Sequence, residues 1–85
     1  MKQGNIMLNR ELFGQRVKLL RLQKGMSQVS LAQILGVTPT QVSDMEKGKT
    51  STSLDRLVIL CQTLDVSADY LLGLRDTPKD VQSGA

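Results

Sequence analysis

Residues 28–47, QVSLAQILGVTPTQVSDMEK, decide the reading of this chain. Leu31, Ala32 and Leu35 recur at three- and four-residue spacing, Gly36 interrupts them, and Val37, Val42 and Met45 resume the pattern in a second frame. That change of phase describes two short helices meeting across a tight turn. Ala32 falls where the helices come closest, so a larger side chain there would push them apart. Gly36 can take the positive φ that ends a helix in a left-handed residue, and Val42 closes the wedge from the other side. The second helix carries its own start signals: Thr38 as N-cap, Pro39 at the first helical position, and Gln41 three residues after Thr38 to complete a capping box, stapled by Val37 and Val42. Thr40, Gln41, Ser43 and Asp44 are left facing solvent, a surface suited to reading something polar.

Working outward, 85 residues support one small domain. Forty percent hydrophobic residues with one Phe, one Tyr and no Trp predict a core of Leu, Val, Ile and Met in an all-α bundle. The net charge of +3 is unevenly spread. Up to Met26, six basic residues face Glu11 alone; residues 27–50 are neutral; from Ser51 onward acidic residues outnumber basic ones. One end of the domain should therefore attract an anion. Cys61, the single cysteine, lies in the apolar run LVILC, where a small buried thiol is expected. No segment approaches the roughly 18 apolar residues of a membrane-spanning helix, and the protein is expected to be cytoplasmic.

Five helices are predicted along the chain. After a loose leader at 1–8, Asn9 caps a helix to about Gly25 that places Phe13, Val17, Leu20 and Arg21 on one face. Leu12, Leu19 and Leu22 lie off that stripe, a surplus to be covered by peripheral core or by a partner. Ser27 caps the second helix, the third runs from Pro39 to about Lys47, and GKTSTS (48–53) reads as a loop. Ser53 caps a fourth helix whose Leu54, Leu57, Val58, Leu60, Cys61 and Leu64 recur at helical spacing, which makes it the expected most buried helix. Ser67 caps a short fifth helix that Gly73 ends. The domain is thus expected over 9–75, followed by a disordered tail over 76–85.

The run from Leu20 to Leu72 carries an Arg four residues before Gly25, SQ opening a helix, LA…LGV at the turn, E-x-G after the third helix, and DYLL near the end. These features closely resemble the phage-repressor and Cro type helix-turn-helix domain, the XRE family, over roughly Leu12 to Leu72. The resemblance implies a five-helix, lambda-repressor-like fold with the helix-turn-helix at helices two and three. It also implies sequence-specific binding of duplex DNA and, often, a homodimer on a two-fold operator. The chain departs from the family in three places: Thr52 stands where Pro is frequent, Lys49 is alone in a loop where relatives offer several basic residues, and Asp44 holds a recognition position where Arg, Gln or Asn is commoner.

No catalytic, metal or cofactor site is expected. The chain has no His, and its carboxylates are scattered over caps and helix surfaces, so no small-molecule substrate or membrane partner suggests itself. Duplex DNA fits better, because the major groove admits one α-helix whose N-terminal residues meet base edges. Thr38, Pro39, Thr40, Gln41, Ser43 and Asp44 are the candidate base contacts. Gln41 can pair with adenine, Thr40 can place its methyl on thymine, and Asp44 either accepts from cytosine N4 or repels phosphate. Ser27 and Gln28, at the start of the preceding helix, and Lys47, Lys49 and Thr50, just past the third, are the candidate phosphate contacts. Each has a plainer alternative: capping accounts for Thr38, Pro39 and Gln41, and ordinary solvation for the lysines. The resemblance further implies an ion pair between Arg21 and Glu46, since the Arg21 stem must run along the core and its guanidinium needs a partner. Two functions follow, a DNA-binding transcriptional regulator, typically a repressor, or a protein-interaction module or antitoxin on the same fold.

Overall fold

The structure, a computed structural model, describes residues 7–78. Residues 1–6 of the expected leader and 79–85 of the expected tail lie outside the described residues. Five helices are present: α1 (Arg10–Gln23), α2 (Gln28–Leu35), α3 (Pro39–Glu46), α4 (Leu54–Leu64) and α5 (Ala68–Leu72). Each begins at a short polar N-cap whose side-chain oxygen accepts a first-turn backbone N–H: Asn9, Ser27, Thr38, Ser53 and Ser67 in turn. Gly36 ends α2 in the left-handed region at φ 72°, turning the chain sharply into α3.

α1 is the strut of the bundle. It packs against α3, α4 and α5, while α2 packs against α3 and α4. Phe13, Val17 and Leu20 of α1 meet Leu31, Ala32, Leu35, Val42, Met45, Leu60, Leu64, Val66, Tyr70 and Leu71 in one core. Truncating a fully buried member such as Leu31 or Leu60 to Ala should cost about 2–5 kcal/mol.

Two expectations from the apolar pattern need correction. α4 is not the most buried helix: it buries Leu60 and Leu64 outright, whereas α1 buries Phe13, Gly14, Val17, Leu20 and Arg21. Leu54 and Val58 of α4 face outward, Leu54 at 80% exposure. Leu19 and Leu22 are not peripheral core either, for both are exposed. Apolar spacing defines a stripe, and this stripe is wider than the neighbours that cover it.

Beyond α5 the described chain stays against the domain. Arg16 donates to the carbonyls of Tyr70 (2.6 Å) and Arg75 (2.9 Å), its guanidinium lies 4.0 Å from the centre of the Tyr70 ring, and it approaches Asp76 at 3.6 Å. Ser67 N–H donates to the Pro78 carbonyl at 2.9 Å. Arg16 is thus the peg that fastens the C-terminal segment to α1. Among the described residues no helix is long and apolar enough to cross a membrane.

Candidate nucleic-acid interface

α3 is buried at one end and along one face, and open at the other end. Val42, Met45 and Glu46 are buried, whereas Thr38, Pro39, Thr40 and Gln41 are exposed and Ser43 and Asp44 half-exposed. The exposed end is the N-terminus, where the helix dipole and unpaired N–H groups favour negative charge. The six candidate base contacts therefore all keep some exposure, and they lie within the N-cap and the first six residues of α3.

Gln41 has a second task. Its Oε1 accepts from Thr38 N–H at 2.8 Å while Thr38 Oγ1 accepts from Gln41 N–H at 3.1 Å, a reciprocal capping box. With Oε1 engaged, Gln41 presents its Nε2 as a donor. Bidentate pairing with adenine would require Oε1 to leave Thr38, whereas donation to a purine N7 or a thymine O4 needs no such exchange.

At the start of α2, Ser27 Oγ accepts from Ser30 N–H at 3.0 Å, so the hydroxyl is occupied by its cap. Gln28 is half-buried and donates from Nε2 to Glu46 Oε1 at 3.0 Å. Lys47, Lys49 and Thr50 are exposed just past α3. Lys47 is the C-cap of α3, and Lys49 N–H donates to the Asp44 carbonyl at 2.9 Å, which folds the loop back under the helix.

What holds α3 at its angle is the C-terminal end. Arg21 Nε donates to Glu46 Oε2 at 2.6 Å and Arg21 Nη2 donates to Glu46 Oε1 at 3.1 Å, a two-pronged fork whose side chains are 7% and 2% exposed. Arg21 Nη1 donates to the Met26 carbonyl at 2.8 Å, so all three guanidinium nitrogens are used. Glu46 thus accepts from α1 and α2 at once, and both helices are tied to the end of α3 through one carboxylate.

Gly14 completes this anchor and had no signature in the helical pattern of α1. A Cβ built there would lie 2.4 Å from the Met45 carbonyl oxygen and 2.5 Å from that of Glu46. The backbones of α1 and α3 approach as closely as they do only because that side chain is missing. Gly48, at φ 79°, repeats the device where the loop after α3 crosses α1 beside Glu11.

Among the described residues no group of three His, Cys, Asp or Glu side chains could hold a metal ion. Cys61 is half-buried, and burial pushes its thiol above the usual range, away from the nucleophilic thiolate.

Two short helices crossing at a glycine turn, the second with an open polar N-terminus and a locked C-terminus, define a helix-turn-helix domain. A family model described as Helix-turn-helix matches residues 17–71. The chain belongs to that family, of the phage-repressor and Cro type. An uncharacterized HTH-type transcriptional regulator of Rickettsia prowazekii, RP497, is 39% identical over 67 residues, covering 78% of this chain and 52% of that protein. The P22 c2 repressor, solved in complex with a synthetic operator, superposes with a TM-score of 0.68 at 31% identity, over 72% of this chain and 92% of that one. A hydroxypropylphosphonic acid epoxidase from S. wedmorenis also superposes, with a TM-score of 0.68 at 30% identity, but over 34% of its own length. The chain spans about half the length of the curated regulators it matches.

Proposed function

We propose that this chain is a sequence-specific duplex-DNA-binding transcriptional regulator, a repressor that acts in the cytoplasm and lays the N-terminal half of α3 into the major groove. The observation that carries the reading is the asymmetry of α3. Its C-terminal end is clamped by Gly14 and the Arg21–Glu46 fork, so the exposed side chains from Thr38 to Asp44 are held on a rigid rod. The likeness to a repressor solved on its operator supports the same use of the surface. Thr40, Gln41, Ser43 and Asp44 read bases in this account, with Thr38 and Pro39 at the point of entry. The N-terminus of α2, with Ser27 and Gln28, and the loop with Lys47, Lys49 and Thr50 meet phosphates on either side.

A homodimer belongs to the proposal. A two-fold operator needs two recognition helices about 34 Å apart, and Leu54, Val58 and Leu74 are exposed on the C-terminal half of the domain. A sedimentation mass that stays monomeric at high concentration and on a palindromic duplex would refute this part. Those same residues favour a second reading, docking on a partner protein. The two readings separate by titrating a random duplex at several salt concentrations, since phosphate neutralisation makes log K fall linearly with log salt. A steep slope supports the regulator; absence of duplex binding at low salt favours the docking module.

A further inference from the structure

Beside the exposed end of α3 runs a groove of about 240 Å³, lined by Leu35, Val37, Gln41, Asp44, residues 50–53 and Arg56. Arg56 lies on the first turn of α4, and its Nε donates to the Leu35 carbonyl at the end of α2, 3.1 Å away. That bond engages one of the five guanidinium N–H donors. The described residues form three ion pairs, and Arg56 belongs to none of them. A half-buried guanidinium without a carboxylate partner can take up an anion through its remaining N–H groups.

We infer that Arg56 is a further phosphate-contacting residue, which binds a DNA phosphodiester in the groove between α3 and α4. Gln41, Asp44 and Thr50 line the same groove and stand on the surface proposed to face DNA, so a duplex seated on α3 covers its mouth. Thr50, Ser51 and Thr52 line the same groove as Arg56, and residues of their kind can donate a hydroxyl to a phosphate. Asp44 lines the groove on the α3 side and Asp55 lies in the first turn of α4; both repel an anion, which places the phosphate nearest the guanidinium. Arg suits this role because its planar fork can hold Leu35 with one N–H and phosphate with two others. The loop over 48–53 holds a single basic residue, Lys49, and Arg56 supplies a second cation from the next helix.

The inference rests on the DNA-binding reading, and the test separates the two. Wild type, Arg56→Gln, Arg56→Lys and Lys49→Ala are titrated with one random duplex between 50 and 200 mM salt. Gln retains a donor for the Leu35 carbonyl but no charge, so a thermal midpoint near wild type shows that the fold is intact. Arg56→Gln is expected to lower the slope of log K against log salt by about 0.9, the value of one phosphate contact, which makes its loss of affinity across that range about three-fold smaller than wild type's. Arg56→Lys should keep most of the slope, and Lys49→Ala should lose a comparable amount. An Arg56→Gln slope equal to that of a DNA-binding wild type overturns the inference alone. A wild type that does not bind duplex overturns the DNA reading and this inference with it.

Discussion

Replacing Glu46 with Ala should unfold much of the margin on which this domain lives, in the absence of any DNA. The substitution removes a carboxylate that is 2% exposed and accepts three hydrogen bonds, two from Arg21 and one from Gln28. Arg21 then keeps only its bond to the Met26 carbonyl and is left as a buried charge without a counter-ion. Breaking a buried pair from one side costs about 3–5 kcal/mol. A domain of this size has a total stability of roughly 4–13 kcal/mol, so the loss is a large fraction of the whole. The thermal midpoint, followed by circular dichroism, should fall by more than about 10 °C. Replacing both Arg21 and Glu46 with apolar residues of similar volume should recover much of that loss, because the unpaired charge is gone. Recovery should be incomplete, since Gln28 and the Met26 carbonyl each lose a partner. If Glu46→Ala unfolds within about 1 kcal/mol of the parent, the value of an exposed pair, the claim that this fork sets the recognition helix fails.

Gly14→Ala puts a Cβ against the carbonyls of Met45 and Glu46, so it should destabilise by more than about 1 kcal/mol despite the better helix propensity of Ala; urea unfolding checks the sign. Gln41→Ala should relax base preference at one operator position and cost about 1–3 kcal/mol of specific binding, while Lys49→Ala weakens selected and random duplexes alike. Equal losses on both duplexes for Gln41→Ala would remove it from the base readers. Arg16→Ala frees the carbonyls of Tyr70 and Arg75 and uncovers the Tyr70 ring, so amide exchange should quicken at α5 and the segment after it while α3 keeps its protection. Cys61 should react with iodoacetamide more slowly folded than unfolded near pH 8, because burial raises its pKa and lowers the thiolate fraction.

The local signals in this sequence were enough to place every helix. Asn9, Ser27, Thr38, Ser53 and Ser67 cap where their spacing to the following apolar runs says they should, and Gly36 takes the left-handed conformation. Capping is a matter of neighbours within four residues, which a sequence shows directly. What was not legible depends on residues brought together by the fold. Gly14 looks like a mere defect in α1 until α3 lies across it. Arg16 finds its partners 54 and 59 residues away, and Arg56 finds the end of α2 21 residues back. The periodicity of α4 identifies its apolar side chains but not how far the helix is turned, so it leaves open whether Leu54 and Val58 enter the core or lie between protomers; both are exposed. The Arg21–Glu46 fork was foreseeable as a pairing, whereas the part played by Gln28 in the same network was not.

The central claim is that the N-terminal half of α3 reads base sequence. Repeated selection of bound duplexes from a random pool, followed by sequencing, tests it most directly. The account predicts convergence on one motif, arranged as two related half-sites with centres about 10–10.5 base pairs apart, and loss of preference at one position of each half-site for Gln41→Ala. A pool that stays random through successive rounds while the folded protein is present at micromolar concentration would contradict it.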